Sequence, residues 1–378
     1  MWSLFLFLLP LLLACLPANT SAFHPFLAPS TRASLSLHAS KLSVPDSTVL
    51  VVGSGPLPLV AVKTAYFAGY KKVYHLLPPN VHERSAKLMF GDGYSYTTDE
   101  EGCLSPPFTS QSGFDDGSCG GKIKFLDGGD PSSTEELACV DGIVFASDNF
   151  EPAVPLEVAN YLMECASDLK QVSVHSKTMN EEGYGWIVSA ARKTANKDIW
   201  DRNKDDIQKL TSFTEGVKKK AAEKGAGVTV IKTGTLKGGG WGVTNLGDDA
   251  EGDEKVGPEG EESYGLSDAF YKAVQRDIVN FQMLYDCETS DVYVMKGDVG
   301  VGGGGTQVLK ANSSKEEAGD SGRKGTAGAL VYSLASGEAG SNQEFTIRSK
   351  EGRRGARGTA EWDAKFKSAS TAIGQYAN

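Results

Sequence analysis

The stretch from Ser47 to Pro79, STVLVVGSGPLPLVAVKTAYFAGYKKVYHLLPP, constrains this chain more than any other. Thr48 to Val52 is a short apolar, β-branched run, which reads as a buried strand. Gly53-Ser54-Gly55 supplies a turn, Pro56 suits the first turn of a helix, and apolar residues carry that helix to Ala68. Gly69 stops it, and Lys71 to Leu77 reads as a second strand. Strand, glycine turn, helix and strand in this order open a βαβ unit, which commits the chain to an α/β fold.

Such a turn suits a dinucleotide. Glycines let the backbone approach a pyrophosphate, and the helix N-terminus offers N–H groups and positive dipole. Gly53, Ser54 and Gly55 are the residues expected to hold it. The fingerprint is partial: the third glycine of G-x-G-x-x-G falls on Pro58. Pro56 and Pro58 each remove a donor that a phosphate could use. The second strand ends in His75-Leu76-Leu77-Pro78, with no acid for a ribose hydroxyl; Arg84 follows shortly after. The competing reading is a nucleotide-type fold whose cofactor site has degenerated.

The first 22 residues read as a signal peptide, with an apolar run from Leu4 to Leu13 and small residues at Ala18, Ser21 and Ala22. Residues 23–44 are rich in serine and alanine, carry Arg32 and Lys41 and contain no acid, as transit peptides do. Ser21-Ala22-Phe23 followed by an acid-free segment resembles the bipartite presequence of algae with complex plastids. That resemblance implies import into the plastid, to the stroma or the thylakoid surface. Ordinary secretion is the alternative.

The formal net charge of −10 and the lack of a basic stripe argue against nucleic acid as a partner. No later run is apolar enough to span a membrane, though peripheral association is open. Beyond Cys15 in the leader, Cys103, Cys119, Cys139, Cys165 and Cys287 form no C-x-x-C and leave an odd count. This argues against a disulfide framework or a zinc ribbon, and no metal is expected.

The remaining chain, residues 45–350, reads as one Rossmann-type, doubly wound domain with a mainly parallel sheet. Loop insertions are expected at about 91–135, around a short strand Lys122 to Leu126, and at the acidic stretch 246–265; residues 351–378 read as a C-terminal tail, basic and then helical, peripheral to the domain. Val140 to Ser147 and Gln171 to Ser176 read as strands whose C-terminal ends face the crevice. Ala146, Ser147 and Asp148-Asn149 would then sit near the cofactor, Ala146 and Ser147 lining the adenine–ribose side, with Ser173 near the nicotinamide. His175 is a candidate acid or base, against the commoner structural role of a lone histidine at a strand end. Asp198 to Gly225 reads as a polar helix, and Ser267 to Asp286 as another with an apolar stripe.

A second resemblance lies in AAEKGAGVTVIKTGTLKGGG. It looks like the atypical short-chain dehydrogenase/reductase families, in which a helix ending in Ala-Glu precedes a strand and an Arg-Pro-Gly-Gly-Leu-like turn. Gly234 and Leu236 are kept; the Arg and Pro are not. Gly322-Arg323-Lys324-Gly325-Thr326-Ala327 and NQEFTIRS resemble the family's late helix and closing strand. The resemblance implies NADP or NAD as cofactor, with Thr233, Gly234 and Thr235 near the nicotinamide. It also implies, for plastid relatives, assembly or maintenance of photosynthetic complexes, or reductase work.

Reductases of this type use a tyrosine and a lysine four residues later, the lysine lowering the phenol pKa from about 10. No tyrosine here has a lysine at that spacing, and Phe213 and Val217 occupy the expected helix. Tyr184 could substitute only if its segment folded back. The sequence therefore supports a dinucleotide-binding fold, leaves enzyme activity undecided, and keeps a non-catalytic interaction scaffold as the alternative.

Overall fold

The computed structural model describes residues 41–105, 122–128, 130, 133–148, 151–177, 204–234, 236–239, 266–267, 291–298, 321–350, 356 and 358–371. Its elements begin with β1 (Thr48–Val52), α1 (Pro56–Phe67), β2 (Lys72–Leu76), α2 (His82–Phe90), β3 (Lys122–Leu126) and α3 (Ser133–Ala138). They continue with β4 (Gly142–Phe145), α4 (Leu156–Cys165), β5 (Gln171–Lys177), α5 (Lys204–Lys224), β6 (Gly227–Thr233) and β7 (Leu236–Lys237). The last are β8 (Asp291–Lys296), β9 (Ser321–Gly322), α6 (Arg323–Ser333), β10 (Gln343–Lys350) and α7 (Gly358–Thr371).

Eight strands form one sheet in the order β3-β2-β1-β4-β5-β6-β10-β8, while β7 and β9 pair separately. Every neighbour pair in the large sheet is parallel except β10 with β8, which is antiparallel. The chain runs outward from β1 to β3, then returns to place β4 on the other side of β1. The strand order therefore reverses between β1 and β4, and this switch point is where open α/β sheets form their ligand crevice. The fold is the expected Rossmann-type one.

Strand alternation splits the core into two layers. Val49 and Val51 pack with α1, α6 and α7, while Leu50 and Val52 face the cluster containing Leu162 and Met163 of α4 and Phe213 and Val217 of α5. Helix α1 is apolar on all sides, with Leu57, Leu59, Val60, Val62 and Ala65 buried, as befits a helix between sheet and neighbouring helices. Its one buried charge, Lys63, donates from Nζ to the Met89 carbonyl at 2.9 Å, at the C-terminus of α2. Ser267 supplies the same helix end with a second donor, its Oγ lying 2.8 Å from the Lys87 carbonyl. Lys63 thus serves a terminal carbonyl of the helix, and the Ser267 hydroxyl joins the Gly91 N–H on the Lys87 carbonyl.

The 351–378 stretch, expected as a tail, contains α7, and α7 belongs to the fold. Trp362 and Phe366 are buried, and Trp362 stacks on Tyr332 of α6 with ring centroids 6.1 Å apart. Gly328 of α6 makes that approach geometrically accessible: a Cβ there would lie 2.5 Å from Trp362 Cζ2. Strand β8, also unexpected, forms the antiparallel edge. The presequence before Lys41, residues 106–121 of the 91–135 insertion, the acidic stretch 246–265 and all but the first residue of the helix expected from Ser267 to Asp286 lie outside the described residues.

Candidate functional site

The turn after β1 has Gly53 at φ +136° and Gly55 at φ +106°, both in the region that favours glycine. A Cβ on Gly53 would fall 1.8 Å from the Ala146 carbonyl oxygen, so this glycine lets the ends of β1 and β4 meet. Ala146 N–H donates to the Val52 carbonyl at 2.9 Å, completing that junction. Gly53, Gly55, Ala146 and Ser147 are therefore brought together at the switch point, with Ser54 and Gly55 exposed to solvent. From the other side, His75 of β2 places Nε2 3.2 Å from the Gly53 carbonyl. The carbonyl is an acceptor, so Nε2 carries the proton. Burial pushes the His75 imidazole down from 6.5 to about 4 despite that carbonyl, which leaves it neutral.

The N-terminus of α1 is already engaged. Asp148, just past β4, accepts the Leu57 N–H on Oδ2 at 2.7 Å. Its Oδ1 accepts from Nε of Arg323 at 2.5 Å. Arg323 opens α6 and also donates from Nη1 to the Gly238 carbonyl at 2.9 Å. Both side chains are largely out of solvent, at 3 % exposure for Arg323 and 11 % for Asp148. A pyrophosphate held in the usual way would need the donors and field at this helix end. Pro56 and Pro58 have no N–H, and the Leu57 N–H that lies between them belongs to Asp148. The arrangement as it stands does not fit a dinucleotide pyrophosphate.

Neighbouring strand ends carry a second polar group. His175 Nε2 lies 2.8 Å from Thr233 Oγ1 across the β5–β6 pair. Burial holds the His175 pKa well below 6.5, with Lys177 adding repulsion, while a bond to the Ser147 carbonyl opposes the shift. With the other ring nitrogen donating to Ser147, Nε2 of the neutral imidazole accepts from the Thr233 hydroxyl. Lys177 donates from Nζ to the Gly234 carbonyl at 3.2 Å. Gly234 N–H in turn donates to Ser321 Oγ at 3.2 Å, and Ser321 donates to the Ile347 carbonyl at 2.6 Å. His175 and Thr233 are 5 % and 0 % exposed, so their contact ties the strand ends together beneath the surface.

The structure thus gathers Ala146, Ser147, His175, Thr233 and Gly234 at the C-terminal ends of β4, β5 and β6. Ser173 is placed elsewhere: it lies mid-strand at 0 % exposure, its Oγ 3.1 Å from that of Ser333 on α6. Tyr184 and Thr235 lie outside the described residues. Phe213 and Val217 are core, Phe213 meeting Phe145 edge-on with centroids 5.7 Å apart. Sequence reasoning placed Asp148 beside the crevice but missed its pairing with Arg323. One signal pointed to half of it: an arginine at the first position of a helix opposes the helix dipole, and so asks for a nearby acid.

Among the described residues, no three His, Cys, Asp or Glu side chains are grouped to hold a metal ion. No described helix is long and apolar enough to cross a membrane.

No family model matches this sequence, and no curated protein matches it. Among solved structures, it is similar to a protein of Burkholderia pseudomallei (11% identity, TM-score 0.37, covering 80% of this chain and 98% of that one). It is also similar to a reductase engineered to attenuate substrate inhibition in asymmetric catalysis (10% identity, TM-score 0.36, covering 81% and 80%). A third is the terminal R domain of the myxalamid PKS-NRPS biosynthetic pathway (10% identity, TM-score 0.37, covering 84% and 71%). The assignment of a Rossmann-type fold rests on the strand order itself.

Proposed function

We propose that this chain is an NAD(P)-binding Rossmann protein of plastids. It acts there as a redox-responsive or assembly factor, or as a reductase whose chemistry does not use a tyrosine–lysine pair. The observation that supports nucleotide binding is the solvent-exposed Ser54-Gly55 turn at the β1–β4 switch point. This is the crevice such sheets use for dinucleotides. The presequence resemblance supports the plastid, and through it NADP over NAD. The core role of Phe213 and Val217 supports the absence of standard carbonyl-reduction chemistry.

Titration of the full chain with NADPH and NADH, followed by nicotinamide fluorescence, tests this reading. Saturable binding is expected, and Gly55→Trp should abolish it while leaving the circular dichroism unchanged. No saturable binding of either nucleotide at millimolar concentration, by the native chain or by Asp148→Ala, overturns it. A fluorescent fusion of residues 1–45 that fails to enter a complex plastid overturns the location.

A second reading, an interaction scaffold with a degenerate cofactor site, is favoured by Asp148 on the Leu57 N–H. It predicts no nucleotide binding in any form of the protein.

A further inference from the structure

The element that contradicts an open cradle is itself specific. At a phosphate-binding turn, the helix N–H groups and a nearby cation face a bound anion. Here the same two kinds of donor are present, and both face one carboxylate. Leu57 N–H meets Oδ2 of Asp148 at 2.7 Å, and Arg323 Nε meets Oδ1 at 2.5 Å. Gly55 lies under the same group: a Cβ there would be 2.7 Å from Asp148 Oδ2. The carboxylate is thus seated over the turn, against helix end and arginine together. The Arg323 guanidinium is aimed by its Nη1 bond to Gly238, so it does not depend on Asp148 alone for its position.

We infer that Asp148 is an autoinhibitory plug: its carboxylate holds the place of a dinucleotide phosphate, and binding requires it to leave Leu57 N–H and Arg323 to the incoming phosphate. The identity of the anion rests on the NAD(P) reading above, whereas the plug itself can be tested without a nucleoside. Displacement is an exchange of one anion for another on fixed donors, so no buried cation is stranded. Asp148 lies three residues past the end of β4 with its side chain 11 % exposed, so its carboxylate is near the surface without being open to it. A cradle closed nine parts in ten lowers apparent affinity about tenfold, because only the open fraction binds.

Two probes on the full chain separate the plug from the cofactor: inorganic pyrophosphate, read as a shift in Tm, and NADPH, read by fluorescence. In Asp148→Ala, pyrophosphate should raise the Tm and NADPH should bind at least about tenfold more tightly than to the native protein. Adding Arg323→Met to that variant should remove the pyrophosphate shift. Asp148→Asn keeps the shape, loses the charge and should fall between native and alanine, which covers the case in which Asp148→Ala does not fold. Equal NADPH affinity in native, Asp148→Asn and Asp148→Ala overturns the plug and leaves the dinucleotide reading standing. A pyrophosphate shift in Asp148→Ala with no NADPH binding by any variant supports the plug and removes the dinucleotide. No response to either probe in any variant overturns both.

Discussion

The carbonyl oxygen of Ala146 stands where a side chain on Gly53 would begin: a Cβ there would be 1.8 Å away. The atom in the way is backbone of a central strand and cannot yield. Gly53 also has φ +136°, which L side chains rarely adopt. The first glycine of the turn therefore serves the junction of β1 and β4 before it serves any ligand.

Gly53→Ala should accordingly cost stability, by about 3 kcal/mol or more, since overpacking and backbone strain act together. Gly55→Ala meets a displaceable carboxylate and should cost less, though its φ of +106° keeps it destabilising. Urea denaturation of the two variants checks the order. If Gly53→Ala is the milder change, the β1–β4 junction is not as tight as described.

The first βαβ unit was legible because every signal in it is local: a β-branched run, a glycine turn, a proline-opened apolar helix. The β4 and β5 strands were legible for the same reason. The edge strand β8 was not, because its half-exposed residues, including Tyr293 at 40 % exposure, give no continuous apolar run. Helix α7 was legible as a helix following the basic segment EGRRGARG, but its place in the core was not, because the three residues it buries, Trp362, Phe366 and Ala369, make only a narrow stripe on a polar helix. In the candidate site, the glycine turn and the nearness of Asp148 to it were legible, but the bonds of Asp148 to Leu57 and Arg323 were not. Asp148 and Arg323 are 175 residues apart, and no local pattern records a pair brought together only by the sheet.

Because α7 fills a gap over α6 and β10, Phe366→Ala should destabilise by about 3–5 kcal/mol, the range for emptying an aromatic site. Phe366 meets both Phe345 and Trp362, with centroids 4.8 and 5.7 Å away. Truncation after Lys350 should leave a chain that binds a hydrophobic dye and loses cooperative thermal unfolding. A truncated protein with native Tm would show that α7 is dispensable.

Acid should weaken the fold through His75. The imidazole has a folded pKa of about 4 against 6.5 when unfolded, so the unfolded chain binds the proton more readily. Stability contributed by the neutral ring is complete above pH 6.5 and is lost as pH falls toward 4. From pH 7 to pH 5 this one group should remove about 2 kcal/mol, and His175, shifted in the same direction, should add to the loss. Guanidinium denaturation at the two pH values, on native protein and His75→Gln, measures the His75 share. An unchanged pH slope in His75→Gln would mean that other groups carry the acid sensitivity.

Lys63 offers the complementary case of a buried cation. Burial holds its pKa well below 10.5, with Lys324 adding repulsion. Its ammonium meets the Met89 carbonyl at the C-terminus of α2, where a positive charge is favoured, and lies 5.8 Å from the Phe90 ring centroid. Those partners offset only part of the cost of taking an ammonium out of water. Lys63→Met keeps the length of the stem and removes that cost, so at pH 7 it should lie within about 1 kcal/mol of native, on either side. The pH dependence distinguishes a real shift from none. A depressed folded pKa makes the native protein gain stability as pH rises from that value toward 10.5, and Lys63→Met should lack this gain. Lys63→Ala, which also empties the stem's volume, should be clearly worse than Lys63→Met. If the alanine variant matches the methionine one in Tm, the side chain is not packed between α1 and α2 as the Met89 contact requires.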